Sequence, residues 1–169
     1  MRASSIKAAV LALILATFGA SDLLAADTPS FRNDVMPIFM RGGCNSGSCH
    51  GAARGKDGFK LSLFGYDPDG DYYRLLEEYI GRRVNLAAPE KSLLLEKASG
   101  KVPHSGGRVF AVDSPYYRTL RDWISAGAPL DREDVAEPGR LELEPKKVVF
   151  KKPGETLQGK VIAHYSDGT

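Results

Sequence analysis

The heptapeptide Cys44-Asn45-Ser46-Gly47-Ser48-Cys49-His50 constrains this chain more than any other stretch. It holds both cysteines of the 169-residue sequence and one of its three histidines. Two thiols followed at once by an imidazole is the arrangement that attaches c-type haem. Each sulfur bonds a vinyl group, and the histidine becomes an axial iron ligand. The usual motif places about two residues between the cysteines, whereas this one places four. Asn45, Ser46, Gly47 and Ser48 are small or turn-forming, so the extra pair is expected to loop outward without separating the sulfurs. Two other chemistries stay open: a structural disulfide, and a tetrahedral zinc site completed by His50 and a second histidine. Only haem attachment explains why His50 follows Cys49 without a gap.

Residues 1–26 have the pattern of an export signal. Arg2 and Lys7 supply a basic start, residues 8–18 an apolar run, and Leu24-Ala25-Ala26 a small-residue cleavage site. The apolar run is too short to span a bilayer comfortably, so no membrane span is expected after cleavage. Export predicts a periplasmic or cell-surface location, which suits c-type haem and weakens the case for a zinc module of a reducing compartment. Cleavage would leave about 140 residues, enough for one domain of ordinary size and a little more. The net charge of +2, without a basic stripe, does not point to nucleic acid.

The mature part is expected to be mainly helical. Residues 31–41 form a short helix, with Phe31, Val35, Ile38 and Phe39 near one face, Asn33 or Asp34 as N-cap, and Gly42-Gly43 as its stop before Cys44. Residues 51–58 form a glycine-rich loop. Phe59, Leu61, Leu63 and Phe64 form an apolar stretch, read as either a short extended segment or a wall of the haem pocket. Asp71 is assigned as N-cap of a helix over 72–80 with Leu75, Leu76, Tyr79 and Ile80 buried, and Gly81 ends it. A further helix covers 89–98, with Leu93, Leu94 and Leu95 inside. The last helix covers 115–126, opened by Ser114-Pro115 and carrying Tyr116, Leu120, Trp123 and Ile124 on one face. Residues 131–140 are assigned as a linker. From residue 141 onward the pattern becomes β: Leu157, Gly159, Val161, Ala163 and Tyr165 alternate with Gln158, Lys160, Ile162 and His164. His164 falls on the more polar side, as an exposed strand histidine.

A haem iron held by His50 has a second axial position. Met36 and Met40 both lie in the helix that leads into the motif, a poor origin for a group that must reach the opposite face. His104 sits in the loop Val102-Pro103-His104-Ser105-Gly106-Gly107 before the last helix. Bis-histidine ligation through His50 and His104 is therefore expected, the alternative being a solvent-exposed loop histidine. Arg82 and Arg83 are candidates to pair with haem propionates, or else a solvated surface pair.

The region from residue 31 to 130 resembles the planctomycete-type cytochrome c domain of large exported bacterial proteins. The resemblance rests on Asp34-Val35-Met36-Pro37, Gly43-Cys44-Asn45, Cys49-His50-Gly51, Gly58-Phe59-Lys60-Leu61-Ser62-Leu63, Gly81-Arg82-Arg83-Val84-Asn85, Val102-Pro103-His104 and Trp123-Ile124-Ser125-Ala126-Gly127-Ala128. Many such domains carry methionine-proline in the loop before the tryptophan helix. Here Val102-Pro103-His104 takes that place, which implies His104 as the replacement ligand. The tail from Leu141 resembles the opening strands of a bacterial group 2 Ig-like domain, notably Tyr165-Ser166-Asp167-Gly168-Thr169.

These patterns set an architecture: signal peptide (1–26), cytochrome c-like helical haem domain (27–130), linker (131–140) and the start of an Ig-like β-sandwich (141–169). They imply one covalent haem c held by Cys44, Cys49, His50 and His104, an unidentified redox partner protein, and further domains downstream. Electron transfer without catalysis is the leading expectation. A haem enzyme or gas sensor with a gated distal site, and a disulfide- or zinc-stapled surface module, are the alternatives.

Overall fold

The computed structural model describes residues 28–131 and 135–169. The expected signal peptide, and part of the expected linker, lie outside them. Among the described residues, four α-helices are followed by a two-stranded antiparallel sheet, so the fold is mixed and mostly helical. Two compact units divide at residues 130 and 131. No helix of the described residues is long and apolar enough to cross a membrane.

In the first unit a π-helical turn, Phe31–Val35, runs directly into α1 (Met36–Arg41). Ser30 caps the pair, its hydroxyl accepting from the Asn33 amide. The cap therefore lies three residues before the expected Asn33. Pro37 still falls in the first turn of α1, where its missing N–H leaves no bond unmade. At the other end the Gly42 amide donates to the Ile38 carbonyl, and Gly43 turns left-handed at φ 69°. The helix ends at Arg41, and two glycines separate it from Cys44.

Helix α2 spans Pro68–Leu76, earlier than the pattern of apolar residues suggested. Asp67 is the N-cap, accepting from Gly70, with Pro68 at the first helical position. The expected cap, Asp71, lies inside the helix and is fully buried. Its carboxylate accepts from the Ser62 amide and hydroxyl, both at 2.6 Å, and from Arg74 at 3.0 Å. A cap position one turn earlier is possible because Pro68 can start a helix that Asp71 alone would not need to start. The shift leaves Tyr79 and Ile80 beyond the helix and exposed, contrary to expectation.

Pro89–Lys91 forms a single 3-10 turn, and α3 follows over Leu93–Ser99. Ser92 separates them because its hydroxyl accepts from the Asn85 amide and so anchors the preceding loop. Helix α4, Pro115–Ser125, has the Ser114 cap expected of it, the hydroxyl accepting from Tyr117. One core joins these helices. Phe31 packs edge-on to Tyr72 and tilted against Trp123, with ring centres 5.3 and 5.4 Å away. Gly127 and Ala128 both adopt positive φ. This turn brings the Ala128 carbonyl to the Tyr72 hydroxyl and the Pro129 carbonyl to the Trp123 indole N–H, each at 2.9 Å. Trp123 is thus buried and Tyr72 partly buried, each with its donor satisfied.

The second unit pairs β1 (Pro138–Glu144) with β2 (Lys160–Tyr165). β1 starts inside the stretch assigned as a linker, because Pro138 and Gly139 stand at a strand end, where a missing ladder donor is tolerated. The register sets Leu141 opposite Ala163 and Leu143 opposite Val161, with Arg140, Glu142 and Glu144 on the other face. His164 lies beside Glu142 and Arg140 on that polar face, as expected.

Removing the buried Asp71 carboxylate strands both donors of Ser62 and leaves Arg74 with Asp67 alone. Asp71→Ala is expected to cost about 3 kcal/mol of unfolding free energy. Asp69→Ala, which breaks only the exposed pair with Arg32, is expected to cost under about 1 kcal/mol. Urea denaturation of both variants checks the contrast.

Candidate haem-binding cavity

The Cys44–His50 heptapeptide is folded into overlapping turns by its own backbone. The Cys44 amide donates to the Phe39 carbonyl, and the His50 amide donates back to the Cys44 carbonyl, both at 2.9 Å. Ser46 accepts from Cys49 and from Gly51. Gly47 and Ser48 face solvent, which is the outward loop expected of the longer spacing. Asn45 does the opposite and is buried. Oriented by its surroundings, its amide nitrogen donates to the Phe39 carbonyl and its oxygen accepts from the Gly65 amide. Nothing in the spacing of the motif marks Asn45 for that role. Gly51 is required where it stands, since a Cβ there would lie 2.0 Å from the Asn45 carbonyl oxygen.

The turns deliver Cys44, Cys49 and His50 to one cavity of about 360 Å³, within the usual range of small-molecule and cofactor clefts. Its walls are apolar: Phe39 from α1, Phe59 and Leu61 from the segment after the motif, Leu75 from α2, and Leu94 and Ala98 from α3. Leu63 and Phe64, expected as wall residues, instead point to solvent. Across the cavity lies the loop carrying His104. Neither Met36 nor Met40 lines it.

The two histidines are arranged alike. His50 Nδ1 is 3.0 Å from the Phe59 carbonyl oxygen, and His104 Nδ1 is 3.0 Å from the Gly107 carbonyl oxygen. A carbonyl only accepts, so each Nδ1 carries the hydrogen and each Nε2 keeps its lone pair. Burial, opposed by the Phe59 carbonyl and reinforced by nearby His104, holds the His50 imidazole below its ordinary pKa. It is therefore neutral at pH 7 and able to ligate. The two rings lie in planes only 6° apart, with centres separated by 6.3 Å.

A separation of this size suits two imidazoles on one metal: bonds of about 2.0–2.1 Å on opposite sides, with each ring centre roughly 1.1 Å behind its nitrogen, would put the centres about 6.3 Å apart. Among the described residues, no three His, Cys, Asp or Glu side chains are grouped so as to hold a bare metal ion. Both cysteines are free thiols, so the disulfide weighed from the sequence is not formed. Burial, with a smaller contribution from neighbouring Cys49, pushes the Cys44 thiol up to about 11. It is protonated at neutral pH.

Cationic side chains ring the cavity: Lys56, Arg82, Arg83 and Lys97, against the single carboxylate of Asp57. Arg82 is exposed, with its guanidinium 5.9 Å from the Tyr79 ring centre. Arg83 is not the solvated partner of Arg82 that one alternative supposed. It is buried, and its guanidinium donates to the Arg74 and Gly58 carbonyls while pairing with Glu78. Lys97 Nζ donates to the Pro103 carbonyl at 3.0 Å and ties the His104 loop to α3. Comparison with family models, curated proteins and solved structures finds no match for this chain.

Gly51→Ala is expected to cost about 2–3 kcal/mol, because the new methyl meets a fixed carbonyl. At Gly47 a Cβ would meet only the Leu63 side chain at 3.8 Å, so Gly47→Ala is expected to stay within about 0.5 kcal/mol of the unaltered protein. Thermal and urea melts of the pair test whether the motif is built as described.

Proposed function

We propose that this chain is an exported c-type cytochrome domain that binds one haem and carries electrons. Cys44 and Cys49 would hold the porphyrin through thioethers, and His50 and His104 would be the axial ligands. One observation carries the proposal: two imidazoles stand parallel at 6.3 Å in a cavity shared with both thiols. Each ring is aimed by a backbone carbonyl on its Nδ1, and hydrogen-bonded orientation of the ligand is what a fixed axial geometry needs.

The chain's residues divide the work. Cys44 and Cys49 would tether the group through thioether bonds to its vinyl carbons. Phe39, Phe59, Leu61, Leu75 and Leu94 exclude water from its faces. Arg82 and Lys97, at the cavity wall, are suited to the propionates; Arg83 is engaged elsewhere. When bound, the haem supplies a one-electron couple, and two nitrogen ligands favour a lower potential than histidine with methionine. With His50 and His104 both holding the iron, electron transfer would be favoured over substrate chemistry.

The second unit supports the Ig-like reading of the tail. Leu141, Leu143 and Val161 line one face of its two strands and remain largely exposed. An isolated strand pair is marginal alone, and this apolar face suits the packing of a second sheet. We place the domain accordingly at the head of a larger multidomain protein, facing an unidentified redox partner.

Material exported by a host competent in cytochrome c maturation is expected to be red. It should show a mass increase of one haem, and the pyridine spectrum of two thioether bonds. Cys44→Ser and Cys49→Ser should each lose one of those bonds. The unaltered protein should bind carbon monoxide slowly, and His104→Ala should bind it at once. Parallel ligand planes split the iron dπ orbitals, so a rhombic low-spin resonance is expected in the oxidised state. A colourless product of unaltered mass would end the proposal.

A further inference from the structure

Arginine is almost never fully buried unless paired, and Arg83 is 6% exposed beside the cavity. Both of its terminal nitrogens hold neighbouring chain. Nη1 donates to the Arg74 carbonyl at the end of α2, and Nη2 donates to the Gly58 carbonyl at 3.0 Å. The Gly58 carbonyl belongs to the peptide unit that leads into Phe59. The guanidinium also lies over the Phe59 ring, 4.6 Å from its centre, and over Tyr79 at 5.1 Å. Phe59 then acts on His50 twice. Its ring packs 4.7 Å from the imidazole, and its carbonyl accepts the Nδ1 hydrogen. A continuous path of contact runs from Arg83 through Phe59 to His50.

We propose that Arg83 is a positioning residue for His50 that also raises the reduction potential of the site, with Glu78 as a partial counterweight. This rests on the haem-binding function proposed above. The oxidised porphyrin–iron core carries one more positive charge than the reduced core, so a fixed cation nearby disfavours oxidation. Within a protein that interaction is screened far less than in water. The Glu78 carboxylate pairs with Arg83 at 2.9 Å, but the two side chains differ in exposure, 7% for Arg83 against 36% for Glu78. Solvent screens the anion more than the cation, and a net positive influence reaches the site. Arg83 thus offsets part of the lowering that bis-histidine ligation brings.

Spectroelectrochemical titration of the haem-loaded full chain tests this with three variants. Arg83→Gln is expected to shift the midpoint to lower potential. Glu78→Gln, at the half-exposed end of the pair, is expected to shift it to higher potential. Arg83→Lys keeps the charge but loses the forked contact with two carbonyls, and should retain most of the unaltered midpoint. If Arg83→Gln fails to fold, the other two variants still decide. A merely structural arginine would not give opposite shifts for its own neutralisation and that of its partner. Midpoints of Arg83→Gln and Glu78→Gln that coincide with the unaltered value, or that move in the same direction, overturn the proposal while leaving haem binding intact. An unaltered protein that takes up no haem overturns the function beneath it.

Discussion

Two backbone carbonyls decide what this cavity can do. Those of Phe59 and Gly107 each accept from an imidazole Nδ1, and so leave both Nε2 lone pairs available. Without them each ring could flip or change tautomer, and a pair of histidines at 6.3 Å would be an accident of packing. With them, the separation and the parallel planes become a prepared geometry. Desolvation of His50 adds to this by keeping the imidazole neutral.

The remainder of the helical unit serves to hold those carbonyls still. Phe59 is fixed by a short bridge to Lys56, by its ring contact with His50 and by the guanidinium of Arg83 above it. The following segment is anchored by the Leu61 amide on the His50 carbonyl, and by Ser62 on the buried Asp71. Asp71 in turn belongs to α2, whose Tyr72 is bound to the turn after α4. The aromatic contacts of Phe31 with Tyr72 and Trp123 join the start of the unit to its end. The cavity is therefore coupled to the core by directional bonds as well as by apolar burial. The two histidine walls are unequal in this respect. His50 is backed by buried residues, whereas the His104 loop is held by Lys97 and by an exposed contact of Ser105 with Asp57.

The errors of the sequence-based expectations have one physical origin. Asp71 and Asp67 are both acceptable N-caps by residue type, and only the placement of Ser62 decides that Asp71 turns inward. Tyr79 and Ile80 continue a helical period on paper, but the helix that would bury them ends at Leu76. Leu63 and Phe64 follow the apolar run of Phe59 and Leu61, but the chain turns there, with Phe64 at φ 54°, and sends both outward. In each case the local pattern allowed two outcomes and did not itself select one. The strand start at Pro138 differs in kind, since it depends on a partner about 25 residues away.

What the sequence determined by itself was local. The adjacency of Cys49 and His50, the glycine stop before Cys44, the Ser114-Pro115 opening of α4 and the alternation along β2 are all settled within a few residues, where backbone geometry dominates. The tertiary structure alone decided that His104 faces His50 across one cavity, that Asn45 turns inward while Gly47 and Ser48 turn out, and that Arg83 leaves the solvent to grip two carbonyls. Those outcomes join residues far apart in the chain. They follow from which buried donors and acceptors must be satisfied once the core has closed, and composition and spacing do not encode that directly.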